Sequence, residues 1–243
     1  MPLTVGSLFS GIGGFDLGFE RAGLEIKWQV ESNPFCLRVL EKHWPQVKRY
    51  NDIKTVGAEL EAVDVIVGGF PCQDIASNGT KVGITGPKSG LWIELVRVVG
   101  AIRPRYIVVE NVADLLVRGM GDVLGALAAL GYDAEWDCLP AASFGLPQRR
   151  WRVFIIAYAR GIGCEISNKR ITGGSLPRGW INPHGLDQAQ YAASEAARRV
   201  CGMDAGISGT MDRVTALGNS VPPIMAQWIA ERIAAAEAEP SGL

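Results

Sequence analysis

The chain has 243 residues, 48% of them hydrophobic, enough for the core of one large domain or of one domain with a small insert. No apolar stretch reaches the roughly 18 residues of a spanning helix, MPLTVGSLFSG lacks the features of a signal peptide, and five cysteines without a C-x-x-C pair indicate neither a disulfide framework nor a zinc site. Net charge is −1, yet residues 149–213 hold 10 Lys+Arg against 5 Asp+Glu while residues 1–148 hold 13 against 17, so one internal segment is basic on a mildly acidic chain.

Up to about residue 158, short apolar runs alternate with helical ones. TVGSLF predicts a strand, SGIGG a glycine turn, and FDLGFERAG a helix that Gly23 can stop. EIKWQVE predicts the next strand, PFCLRVLEKHW a helix and KRYND a short strand. VDVIVGG, continuous and β-branched, predicts a buried strand. GLWIELVRVVGAI predicts a helix, RYIVVEN another buried strand and GMGDVLGALAALGY a helix; AEWDCLPA and RVFIIAY close the series as strands. The alternation predicts an α/β fold with a doubly wound, mostly parallel sheet. Residues 159–213 break the rhythm: GGSLPRGWINPHG is irregular, and only DQAQYAASEAARRV has helical period. Order returns over 214–243, where Pro222 and Pro223 suit a helix start and Ile224, Trp228, Ile229 and Ile233 lie near one face. The tail EPSGL is expected to fray.

Two constellations carry chemistry. The first is SLFSGIGG, a strand, a glycine turn and a helix start, where Gly11, Gly13 and Gly14 would let backbone approach a ligand. Glu31 ends the second strand, where an acid commonly bonds ribose hydroxyls, and Asp52 ends the third, in reach of an adenine amino group. Each acid has a plain alternative as a cap or a surface group. Together they favour an adenosine-containing cofactor, and the G-x-G-G turn leans away from a nicotinamide dinucleotide.

The second constellation is Cys72 after the fourth strand, Glu110 after the fifth, and Arg150 and Arg152 two apart in FGLPQRRWRVFII. Ligands of doubly wound sheets bind beyond the carboxyl ends of strands, so the thiol and the acid would face one cleft. The two arginines would share one face of a strand and leave Arg149 and Trp151 on the other. Taken singly, these are a core thiol, a capping acid and an exposed edge. Jointly they suit a reaction that uses a thiolate, a proton donor and cations without histidine or metal. Methylation of cytosine at carbon 5 is such a reaction. A thiolate adds to carbon 6, an acid with a raised pKa protonates ring nitrogen 3, and nearby cations favour the thiolate.

The chain resembles the DNA cytosine-5 methyltransferases, through LFSGIGGFDLGFERAG, VESNPF, NDI, GGFPCQDIASNG, GLWIEL, VVENV, FGLPQRRWRVFIIA and ALGNSV in the family's order. The resemblance implies a sheet of the S-adenosylmethionine-dependent methyltransferase type. It implies a catalytic and cofactor-binding domain over 1–158, a short target-recognition region over 159–213, and a segment over 214–243 that returns to the first domain. Cys72 is then the nucleophile and Glu110 the acid at nitrogen 3, with Arg150 and Arg152 beside the base. S-adenosylmethionine falls to Phe9, Gly11, Ile12, Gly13, Glu31, Asp52, Ile53, Pro71, Leu91, Asn219 and Val221. Gln73 and Ser77, on the loop after Cys72, are implied as DNA contacts. Arg178 and Trp180 are candidate DNA contacts in the short inserted region, whose plain alternative is a surface loop. That region is much smaller than the family's usual one, and Ala76 stands where many members carry serine. The expected protein is a cytoplasmic monomer without metal or membrane attachment, acting on duplex DNA, with room for a paired restriction endonuclease. The alternatives are RNA cytosine-5 methylation by the same chemistry and a non-catalytic DNA- or cofactor-binding relic.

Overall fold

A computed structural model describes residues 1–71, 90–146, 150–160 and 216–238. Cys72, Gln73, Ala76, Ser77, Arg149, Arg178, Trp180, the predicted helix over 187–200 and the tail lie outside the described residues, as does nearly all of 159–213.

Seven strands form one sheet: β1 Thr4–Leu8, β2 Glu25–Val30, β3 Lys48–Tyr50, β4 Val65–Gly68, β5 Tyr106–Val112, β6 Tyr132–Pro140 and β7 Trp151–Ala159. Their order is β3-β2-β1-β4-β5-β7-β6. β1 lies between β2 and β4, so the winding reverses there and opens a crevice at the carboxyl ends. The apolar runs of β4 and β5 are buried because helices cover both faces of the sheet.

The described helices are α1 Gly14–Arg21, α2 Pro34–His43, α3 Leu91–Ile102, α4 Leu115–Arg118, α5 Met120–Ala129 and α6 Pro223–Ala238. On one face, Phe15 and Phe19 of α1 pack with Met225, Trp228 and Ile229 of α6. On the other, Leu95 and Val98 of α3 pack with Val123 and Leu127 of α5. α1 and α6 approach through two small residues: a Cβ on Gly14 would lie 2.1 Å from the Val221 oxygen, and one on Gly18 2.5 Å from that of Pro223. Gly23, at φ +86°, ends α1 as expected, with the Leu24 N–H bonding the Phe19 oxygen at 3.1 Å. Glu237 fastens α6 to the start of β5. It accepts the Tyr106 hydroxyl at 2.6 Å and pairs with Arg105 Nη2 at 2.6 Å.

The sheet is mostly parallel, as the sequence predicts, and β7 alone runs against the other strands. β7 runs antiparallel to both β5 and β6. Only residues 141–150 join β6 to β7, too few for a crossover helix, so the chain must reverse.

Candidate active site

A cleft of about 330 Å3 opens at the carboxyl ends of the strands. On its first side, β1 is followed by Phe9, whose φ of +52° is uncommon for a bulky residue. Gly11 follows at φ +56°, and a Cβ built there would meet nothing within 4 Å. The Gly11 N–H donates to Glu31 Oε2 at 2.7 Å, while the N–H groups of Ser32 and Asn33 donate to Oε1 at 2.9 and 2.7 Å. Three backbone donors therefore fix the Glu31 carboxylate. Asp52 is exposed and caps a 3-10 turn over Ile53–Thr55, accepting the Lys54 N–H at 2.9 Å. The Asn33 side chain accepts the N–H groups of Phe35 and Cys36 and thereby starts α2 beside the cleft.

The second side is built from β4, β5 and β7. Glu110 is 6% exposed. Arg152 Nε lies 2.7 Å from Glu110 Oε1 as an ion pair, although Oε1 receives no well-directed N–H. Burial pushes the Glu110 carboxyl above the usual carboxylate range, and the charges of Arg152 and Arg150 pull it back only in part. Arg152 is also held by a bond from Nη1 to the Trp151 oxygen at 2.9 Å. Trp151 itself is exposed, while Arg150 and Arg152 both line the cleft, as the strand alternation predicts. A Cβ on Gly69 would lie 2.9 Å from Glu110 Oε2, so glycine leaves the carboxyl its space. Asn111, fully buried, donates from Nδ2 to the Phe70 oxygen at 3.1 Å and accepts the Val112 N–H at 2.8 Å. It ties the end of β5 to the backbone two residues before Cys72.

A family model described as C-5 cytosine-specific DNA methylase matches residues 3–175. The chain belongs to this family. It is 39% identical over 163 residues to the Type II methyltransferase M2.BsuMI of Bacillus subtilis, covering 64% of this chain and 42% of that protein. This family member spans less than half the length of several curated relatives that it matches. Among solved structures it resembles a putative DNA modification methyltransferase encoded within an E. coli prophage, with TM-score 0.59 and 24% identity over 72% of this chain and 52% of that one. It also resembles the S. pombe Dnmt2 methyltransferase, with TM-score 0.68 and 15% identity over 98% and 100% of the two chains. Both likenesses show the α/β methyltransferase fold.

Of the residues that the family resemblance nominates, the cleft brings together Phe9, Gly11, Glu31, Asp52, Ile53, Pro71, Leu91, Glu110, Arg150, Arg152 and Asn219. Ile12, Gly13 and Val221 do not line it. Val221 is buried in the core beside α6. Gly13 faces a neighbour, since a Cβ there would lie 2.4 Å from the Trp44 ring. Sequence reasoning missed Asn33, Phe70, Asn111 and Ser220, which also line the cleft. The Asn-Pro pair at 33–34 is a helix-start signal that could have found the first. A second polar residue directly after the acid inside a buried strand could have found Asn111. Among the described residues, no three metal-binding side chains cluster, and no helix is long and apolar enough to cross a membrane.

Proposed function

We propose that this chain transfers a methyl group from S-adenosylmethionine to carbon 5 of cytosine in a short duplex DNA site, through a covalent adduct with Cys72 on a flipped base. The observation that carries the reading is Glu110. It is a buried acid with a raised pKa, beside two arginines, in the same cleft as the glycine turn and Glu31.

The residues of the first side fit the cofactor. Gly11 combines a left-handed backbone with open space where a side chain would stand, which suits close approach of a ligand. Glu31 is oriented in advance by backbone amides, and Asp52, Ile53, Leu91 and Asn219 complete the wall. When bound, S-adenosylmethionine supplies an electrophilic methyl group on sulfonium.

The chain's own residues do the rest. Extruding the cytosine costs a few kcal/mol, offset by contacts in the cleft. The Cys72 thiolate adds to carbon 6 of the ring. Glu110, whose pKa burial raises against the pull of the two arginines, serves as the acid that holds a proton at ring nitrogen 3 as negative charge develops there. Arg152 and Arg150 keep the cleft positive for the thiolate and position the acid. Once carbon 5 is methylated, its proton is lost to a base and Cys72 is eliminated. The working setting of this reading is the cytoplasm, with the protein acting as a monomer.

The test is a trap. Duplex DNA carrying 5-fluorocytosine, incubated with the protein and S-adenosylmethionine, should give a denaturant-stable adduct, because fluorine does not leave as a proton does. Cys72→Ser should give none. Bisulfite mapping of ordinary duplex DNA then locates the methylated site, with an RNA arm run in parallel. Absence of the adduct in the wild type, when methylation does occur, would remove the covalent step.

A further inference from the structure

Two walls of the cleft come from elements far apart in sequence. Asp52 and Ile53 belong to the 3-10 turn, and Leu91 begins α3. One side chain joins them. Arg97 of α3 donates from Nη2 to the Ile53 carbonyl oxygen at 2.7 Å. Its Nε donates to Glu94 Oε2 at 2.7 Å, within the same helix. Leu91, Glu94 and Arg97 recur at three-residue spacing and so succeed one another along the helix surface. The guanidinium is planar, so Glu94 sets its orientation while another of its donors grips the turn. Gly57 leaves it room, since a Cβ there would lie 3.1 Å from Arg97 Nη1. The polar bonds of Asp52 and Thr55 stay within the turn: Asp52 accepts the Lys54 N–H, and the Thr55 hydroxyl bonds the Asp52 oxygen at 2.9 Å. The Arg97 bond reaches out of the turn, to the helix that carries Leu91. An ion pair with an arginine side chain 42% exposed adds little to global stability. Its local consequence is a directed tie between the Ile53 turn and α3, added to the burial of Ile53 in the same core as Leu95 and Val98.

We propose that Arg97 is a positioning residue for the cofactor, holding the Ile53 turn against α3 so that the slot for the adenosine end is preformed. This rests on the reading of the cleft as an S-adenosylmethionine site.

Calorimetry on the full chain tests it, using S-adenosylhomocysteine and 5′-methylthioadenosine, which lacks the amino-acid portion. Arg97→Ala should weaken both ligands alike, roughly tenfold, equivalent to about 1.4 kcal/mol. Arg97→Lys should recover part of the loss, since an ammonium can still donate to the Ile53 carbonyl. Turnover at saturating cofactor and the melting temperature of the ligand-free protein should stay close to wild type. Unchanged affinity in Arg97→Ala overturns the proposal. So does a loss confined to S-adenosylhomocysteine, or one matched by falls in saturated turnover or in melting temperature. If the wild type binds neither ligand, the cofactor reading fails and takes this proposal with it. If only the variant is silent, the cofactor reading stands.

Discussion

Two carboxyl groups stand on opposite sides of the cleft, and different parts of the chain hold them. Glu31 is half-buried and takes its three bonds from backbone N–H groups of Gly11, Ser32 and Asn33. Glu110 is buried, and its charged neighbours are the side chains of Arg152 and Arg150. Backbone donors fix where an acceptor points. Burial beside cations decides whether the acid carries a proton. The first arrangement suits recognition of a neutral polar group such as a hydroxyl, and the second suits proton chemistry.

Removing the acid while keeping its shape tests the second arrangement most sharply. Glu110→Gln should lower single-turnover methylation about 10²–10⁴-fold, the range for a positioned acid, with cofactor affinity nearly unchanged. A variant impaired only in DNA binding would mean that Glu110 holds the base without acting as its acid.

The glycine turn gives the next largest effect and separates the roles of two residues that look alike in sequence. Gly13→Ala meets both a φ of +85° and the Trp44 ring. The strain of a left-handed alanine and local overpacking together should cost about 2–4 kcal/mol of stability. Gly11→Ala meets strain but no neighbour, so it should melt closer to wild type and lose cofactor binding instead. Equal losses of melting temperature in the two variants, measured without ligand, would remove the distinction.

That pair also shows what the sequence could reveal and what it could not. Alternating strands and helices, the acid near the end of β5 and the arginines two apart were legible because each is a local pattern that one period or one strand fixes. The Gly13 contact was not, because Trp44 reaches the turn from beyond α2 and no local pattern announces it. Val221 reads as one of a run beside Asn219, yet the start of α6 turns it into the core. Asn111 was passed over because its partner, the Phe70 backbone, lies 41 residues away. The reversal of β7 is legible in the ten-residue link, which is too short for a crossover helix.

A third carboxyl shows what burial does without cations. Asp16 of α1 is fully buried, accepts Gln29 Nε2 at 2.8 Å and the Ser7 hydroxyl at 3.0 Å, and is pushed by burial from 3.8 up to about 6. Its folded pKa is raised, so its contribution to stability is full below pH 3.8 and is lost as pH rises through about 6. The loss at pH 7.5 is about 3 kcal/mol before relaxation. Asp16→Asn, which cannot ionise, should therefore melt higher than wild type at pH 7.5, by roughly 6–12 °C. Its advantage should vanish below about pH 4. An advantage that does not depend on pH would show that packing, not ionisation, limits this site.

The smallest expected effect belongs to Glu31 and bears most directly on the contrast with Glu110. Both of its oxygens face N–H donors, Oε2 toward Gly11 and Oε1 toward Ser32 and Asn33. A glutamine must present its amide NH2 to one of those sets, where donor meets donor. Glu31→Gln should thus weaken S-adenosylhomocysteine binding roughly tenfold, or about 1.4 kcal/mol, with little change in saturated turnover. Two mechanisms predict that loss. Either Glu31 bonds the ribose, or it only holds the Gly11 turn in place. An analogue lacking the ribose hydroxyls separates them in a double-mutant cycle. If Glu31 bonds the ribose, wild type discriminates against the analogue and Glu31→Gln hardly does. If both proteins discriminate equally, Glu31 acts through Gly11 and does not itself bond the ribose.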